Sequence, residues 1–305
     1  MKTKELVNAL KAIYYSNQLG IESLKEIVVH RINKLLYGTK KALEIKKQKQ
    51  YQSIEKEYLK NNIWDFNGIK LPKWTNDFSQ DILINNTYLD TLLVYCKYND
   101  NYDSKLVDKL DLILPEGTYG YKNDKVDITV KEGDIVIDSG AWIGDFSAYA
   151  SVKGAKVYAF EPSKKTVNYL KITQELNKNI HIVEKGLGDK EETAILENDS
   201  ENSGANKIVD SNYNKNAEKI ELTTIDDFVV EQKLERIDFI KADIEGFERF
   251  MLKGANKTLK NFAPKLAICT YHLPDDPQVL AKIILDANPN YTIVQKKSKL
   301  YAAVK

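Results

Sequence analysis

The rhythm of apolar and polar residues changes near position 105. Before it, apolar residues recur at steps of three and four, the period of a helix face. Leu6, Val7, Leu10, Ile13 and Tyr14 form one stripe; Leu24, Ile27, Val28, Ile32, Leu35 and Leu36 form a second. The run from Lys40 to Lys60 is dominated by charge and reads as a solvated helix face. Residues 61–77, with Trp64, Pro72 and Trp74, read as a connecting loop, and Tyr88 to Tyr95 as a further helix. From 105 onward short β-branched runs alternate with helical ones, which argues for βαβ units and a largely parallel sheet. The runs are 125–130, 134–139, 156–161, 180–185, 237–243 and 265–271. Only a short turn near Lys297–Ser298 separates the last two runs, 291–297 and 299–305, which predicts an antiparallel hairpin. The polar stretch 197–218 reads as an exposed loop. The expected organisation is a mainly helical region over 1–104 and an α/β domain over 105–305.

Composition narrows the class. At 43% hydrophobic and 29% charged residues, the 305-residue chain reads as globular. A formal net charge of +1 exerts no global pull on polyanions. Only three basic residues are arginines (Arg31, Arg236 and Arg249), so nucleic acid is not an expected partner. Cys96 and Cys269 sit in apolar surroundings without metal-ligand spacing and read as buried thiols. His30 and His181 lie in apolar runs and read as packed. There is no apolar leader segment at the start, and no run reaches the roughly 18 apolar residues that span a bilayer. A cytoplasmic location without a transmembrane segment is expected.

The chemistry gathers at DIVIDSGAWIGDFSAYAS, residues 134–151. A buried strand ends in Asp138, and Gly140 and Gly144 punctuate the turn into a helix starting near Asp145. Glycines there would let a ligand approach the backbone, and the turn aims N–H groups outward. A dinucleotide fingerprint wants three glycines around a pyrophosphate. Here only two appear, behind an acid that would repel one. S-adenosylmethionine (SAM) carries an ammonium and a sulfonium and no phosphate, so the acid favours it. Asp138, Gly140, Ala141 and Gly144 are the candidate cofactor turn. The next strand, KVYAFEP, ends in Glu161, placed to accept hydrogen bonds from ribose hydroxyls. Asp189, after the third strand, is a candidate adenine contact.

These residues resemble the FkbM family of SAM-dependent methyltransferases. The matching blocks are VIDSGAWIGDFS (136–147), YAFEPSKKTVNYLK (158–171), TTIDDFV (223–229), IDFIKADIEGFERFMLKGA (237–255) and PKLAICTYH (264–272). The resemblance covers roughly 105–305 and implies a class I methyltransferase fold: a seven-stranded sheet with one antiparallel strand, flanked by helices. It also implies methyl transfer, usually to oxygen.

A hydroxyl nucleophile must be oriented and must lose its proton. Asp243-Ile244-Glu245-Gly246 follows a strand whose carboxyl end is where ligands sit in an open sheet. Asp243 could contact the methionine part of SAM or the acceptor, and Glu245 is the preferred base. The two carboxylates could also share a proton or hold a divalent metal, although no metal site is assigned. Glu248 could serve the site or complement a helix dipole. His272 ends its strand and, at an ordinary imidazole pKa of roughly 6.5, is a second candidate base. Lys241 could pair with Asp243 or Glu245 or point out of the sheet. The expected acceptor is a hydroxyl of a sugar, glycan or other small metabolite. A catalytically silent SAM-fold scaffold and a NAD-dependent oxidoreductase are the competing readings. Residues 1–104 could be a lid, an acceptor platform or the surface of a homo-oligomer.

Overall fold

The computed structural model describes residues 56, 58–66, 68–73, 118–197, 206–209 and 217–305. The two apolar stripes before residue 40, most of the charged run, the helix expected at 88–95, His30, Trp74 and Cys96 lie outside the described residues. Contacts separate Met1–Leu59 from Lys60–Lys305, and the fold below is that of the second unit.

Its centre is a seven-stranded sheet built from β1 (Ile135–Ser139), β2 (Lys156–Phe160), β3 (Ile180–Val183), β4 (Phe239–Ala242), β5 (Lys265–Cys269), β6 (Thr292–Lys296) and β7 (Lys299–Ala303). The order across the sheet is β6-β7-β5-β4-β1-β2-β3. Neighbours from β5 to β3 run parallel, whereas β7 is antiparallel to both β5 and β6. The seven-stranded sheet with a single reversed strand, and the terminal hairpin, therefore form as expected. Lys297 sits at φ 54° in the hairpin turn. The reversal of strand order lies between β1 and β4, which makes the carboxyl ends of these strands the natural ligand crevice.

Alternation along the strands sorts two helical layers. Ile137 of β1, Phe160 of β2 and Ile240 of β4 share a core with α3 (Ile225–Glu231), α4 (Glu248–Lys253), α5 (Asn256–Asn261) and α6 (Asp276–Ala287). On the other face α1 (Asp145–Val152) lays Phe146 on Phe239, ring centroids 5.8 Å apart. Beside it α2 (Lys164–Leu176) packs Leu170 against Ala159 and Ile180. Thr224 caps α3 by accepting the N–H of Asp227 at 2.9 Å.

Three segments depart from the sequence pattern. The run at 61–77, read as a loop, contains an antiparallel hairpin of Ile63–Phe66 and Ile69–Pro72. Its Ile69 and Leu71 are fully buried, and Asn177 at the end of α2 bonds both Lys70 backbone groups. Period-two burial in so short a hairpin is masked by the Asn and Gly residues around it. The strand expected at 125–130 shrinks to Asp127–Ile128, paired with Tyr121–Lys122 outside the main sheet. Asn123 Oδ1 accepts the N–H groups of Lys125 and Val126 and closes this tight turn. Within 197–218, read as a loop, Lys207–Val209 pairs with Glu192–Glu197, which also pairs with Ala217–Thr223. A small second sheet thus borders the crevice. Cys269 is a buried free thiol as expected, while His181 is exposed rather than packed, 5.4 Å from the Tyr158 ring. Among the described residues no helix is long and apolar enough to cross a membrane.

Candidate functional site

A solvent-open cleft lies at the carboxyl ends of β1, β2 and β4, where an open sheet binds its ligands. One wall is Gly140, Trp142 and Glu161; the opposite wall is Asp243, Glu245 and Phe247; Leu196 and Ile208 of the second sheet form a rim. Three carboxylates line it and, among the described residues, no lysine or arginine does.

Glu161 sits just past β2, 7% exposed. Its Oε2 accepts the N–H of Trp142 at 3.0 Å and its Oε1 that of Ser163 at 2.9 Å. Each carboxylate oxygen retains a lone pair for a ligand donor. Burial outweighs these two bonds and the positive charge of Lys241, and it pushes the carboxyl pKa up to about 7.

The glycines of the turn have a reason within the fold itself. At φ 71°, Gly140 lies so close to the neighbouring strand that a Cβ would fall 2.0 Å from the Asp243 carbonyl oxygen. Gly144, at φ 87°, would push a Cβ to 2.6 Å from Leu170 and 2.9 Å from Thr173. Close packing of the protein against itself is enough to demand both.

Asp138 is fully buried and absent from the cleft lining. Lys241, its register partner on β4, places Nζ 3.0 Å from Asp138 Oδ1, and Ser147 Oγ donates to Oδ2 at 2.6 Å. Lys241 also donates to the Gly140 carbonyl at 2.6 Å. Burial opposes the ammonium, but Asp138, then Asp243 and Asp145, raise its pKa above the ordinary value. Lys241 therefore ties the acid of the turn to β4.

Beyond β4 the chain turns at Glu245, φ 54°, and Gly246, φ 96°, a left-handed pair that costs about 1–3 kcal/mol at a non-glycine residue. It carries Asp243 and Glu245 into the cleft beside His272. The imidazole Nε2 is 3.5 Å from Asp243 Oδ1 and 3.5 Å from Glu245 Oε2, and Nδ1 is 3.0 Å from Glu248 Oε1. Neither ring nitrogen is aligned for a hydrogen bond. Burial alone would lower the imidazole pKa; Glu245, Glu248 and Asp243 together override it and raise it to about 10. His272 consequently holds its proton at neutral pH, unlike an ordinary imidazole. Asp243 is held below the usual carboxylate range: Lys241, Lys299, Tyr119 and His272 overcome its burial. Tyr119 donates to its Oδ2 at 2.5 Å and Tyr271 to its Oδ1 at 3.1 Å. Glu248 starts α4, is fully buried and accepts the N–H of Ile244 at 2.9 Å.

The sequence from 138 to 291 matches the family model described as the methyltransferase FkbM domain, half of the chain. The chain belongs to the FkbM methyltransferase family. No curated protein matches. Among solved structures, an FkbM methyltransferase from Methylobacillus flagellatus is 19% identical, TM-score 0.46, over 86% of this chain and 60% of that one, so this chain spans less than two thirds of its length. Fibrillarin from Aeropyrum pernix with natively bound SAM is 14% identical, TM-score 0.37, over 59% of this chain and 70% of its own. A SAM-dependent methyltransferase from Aquifex aeolicus is 18% identical, TM-score 0.32, over 58% and 85%.

In this FkbM domain Gly140, Glu161, Asp243 and Glu245 meet in the cleft, and His272 abuts it through both acids. Ala141 and Gly144 shape the turn behind it, the Gly144 N–H bonding the Ala141 carbonyl at 2.8 Å. Asp189 is exposed and outside the lining, where Gly186 and Leu187 stand instead. Sequence reasoning missed Trp142 and Phe247, which carry no polar signature. It also missed Ile208, hidden in a polar stretch, and Tyr119, distant in sequence from Asp243. The proximity of Glu248 to His272 required the fold.

Proposed function

We propose that this chain transfers a methyl group from SAM to a hydroxyl oxygen of a sugar, glycan or other small metabolite. The observation that carries the reading is the charge of the cleft. Glu161, Asp243 and Glu245 line it without a described lysine or arginine, which suits a cationic, phosphate-free nucleoside and opposes a diphosphate. Glu161, already oriented by two backbone N–H groups, would receive the ribose hydroxyls. Phe247, Leu196 and Ile208 offer apolar surface for the base. SAM supplies an activated methyl on sulfur. The protein aligns the acceptor oxygen opposite that sulfur, so that an O–C bond forms as the C–S bond breaks and its electron pair returns to sulfur. Glu245 takes the acceptor proton, because the neighbouring imidazole already holds one. Tyr271, 42% exposed beside His272, presents a ring against which a sugar face could rest.

Calorimetry should show S-adenosylhomocysteine binding and no NAD binding; the reverse result would overturn the assignment. A SAM-consumption screen over glycans and metabolites should then yield an acceptor. With it, Glu245→Gln should lower kcat by about 10²–10⁴-fold at unchanged S-adenosylhomocysteine affinity. Undiminished turnover in that variant would remove the base role.

A further inference from the structure

We propose that Asp243, Glu245 and His272 form a binding site for one divalent transition-metal ion, with Mn²⁺ as the best-matched probe. His272 Nε2, Asp243 Oδ1 and Glu245 Oε2 converge: the nitrogen is 3.5 Å from each oxygen, and the three donor atoms lie within 4.8 Å of one another. Two ligands about 2.0–2.2 Å from a shared ion stand about 3–4.4 Å apart, which both 3.5 Å separations meet. The histidine is an independent indication. Its side chain is 6% exposed, and its nitrogens make no aligned hydrogen bond although carboxylates surround them. A buried Nε2 in that condition is under-satisfied, and an ion centred between it and the two oxygens would satisfy it by displacing the Nε2 proton that the metal-free imidazole holds.

The outer arrangement fits the same reading. Metal-binding histidines generally present their second nitrogen to a carboxylate that fixes the ring. Glu248 Oε1 stands 3.0 Å from Nδ1, held in place by the Ile244 N–H at 2.9 Å. A second grouping, Glu248, His272 and Asp276, is geometrically close. There, however, the charge of Asp276 is already met by the Arg249 guanidinium at 2.7 Å, with the Leu273 N–H at 2.9 Å on its other oxygen, whereas the two hydrogen bonds to Asp243 come from neutral tyrosine hydroxyls. That leaves Asp243 and Glu245, which line the cleft, with Nε2 beside them. One nitrogen and two carboxylate oxygens suit Mn²⁺, which tolerates both donor types, better than Mg²⁺ or a thiolate-seeking ion.

Three protein ligands leave positions open on the cleft side. Resting on the methyl-transfer reading, the ion would take the acceptor oxygen there and stabilise its negative charge as the proton leaves for the second oxygen of Glu245. The test uses the full chain, stripped with a chelator, in calorimetry with MnCl₂ and Mn²⁺ electron paramagnetic resonance. One equivalent should bind. His272→Ala should abolish that binding, and Glu248→Gln should weaken it about 10–100-fold. Glu161→Gln should lose S-adenosylhomocysteine affinity and keep Mn²⁺. No saturable Mn²⁺ or Zn²⁺ binding up to about 1 mM would overturn the inference, as would equal binding by wild type and His272→Ala. If the same stripped sample still bound S-adenosylhomocysteine, the methyltransferase reading would survive that failure.

Discussion

Glu161 and Glu245 both bring a carboxylate into one cleft, yet their surroundings differ in kind. Glu161 is nearly buried, and each of its oxygens already accepts a backbone N–H. Glu245 stands on a left-handed turn, beside an imidazole that three carboxylates approach without aligned bonds. The first wall is a finished receptacle, its carboxylate oriented by backbone donors before any ligand arrives, as preorganised binding requires. The second holds charge that its own polar groups do not fully settle, as groups acting on a reacting hydroxyl or an ion must. Binding and chemistry are thus separated across the switch point of the sheet, and the contrast predicts that variants on the two walls fail differently.

The harshest way to break the contrast is to remove what both walls share. Lys241 lies behind them, paired with Asp138 and bonded to the Gly140 carbonyl, and its charge bears on both Glu161 and Asp243. Lys241→Met would leave Asp138 buried without its cation and should destabilise the protein by about 3–5 kcal/mol. Urea denaturation measures this. Adding Asp138→Asn should recover much of the loss, because the pair then disappears together. A single variant within about 0.5 kcal/mol of wild type would show that the pair does not brace the turn.

That lysine also marks how far the sequence could be read. The sheet was legible because β-branched runs such as that of β1 point to one structure at both the local and the global level. The cofactor turn was legible because an acid, two glycines and a second acid fall at strand ends. The partner of Lys241 was not, since it depends on the register that sets β4 beside β1. Nor was the reason for Gly140, because the atom it avoids belongs to Asp243, a hundred residues away. The edge of the cleft at Ile208 was obscured by its polar neighbours, whose composition resembles a loop. What a single chain segment encodes can be read locally; what two segments create by meeting cannot.

A gentler variant confines the damage to the receptacle. Glu161→Gln keeps one acceptor oxygen but turns an amide N–H₂ toward one of two backbone donors, Trp142 or Ser163. It also loses the charge that strengthens bonds from ribose hydroxyls. Affinity for S-adenosylhomocysteine should fall about 10–100-fold, the value of one or two such bonds, by calorimetry. The melting temperature should move little at neutral pH, because removing a buried charge offsets the mispaired donor. An unchanged dissociation constant would detach Glu161 from the cofactor.

The same carboxyl should give the protein two pH responses of opposite sign. Its pKa rises from 4.5 to about 7 on folding because burial disfavours the charge. A carboxyl raised in this way contributes stability that is fully present below 4.5 and disappears as pH climbs through 7. The difference corresponds to about 3 kcal/mol. Asp145, raised by burial to about 6, adds to the same trend. Ligand binding runs the other way, since ribose hydroxyls donate to the ionised form. Affinity for S-adenosylhomocysteine should be full above pH 7 and fall towards about tenfold per unit below it, while the unliganded protein gains from these two groups over the same interval. Titrations from about pH 8 to pH 5.5 in wild type and Glu161→Gln separate this carboxyl from every other acid, because the variant's weaker affinity should be flat. A slope that persisted undiminished in the variant would move the pH dependence to the opposite wall, and with it the claim that Glu161 alone couples protonation to cofactor binding.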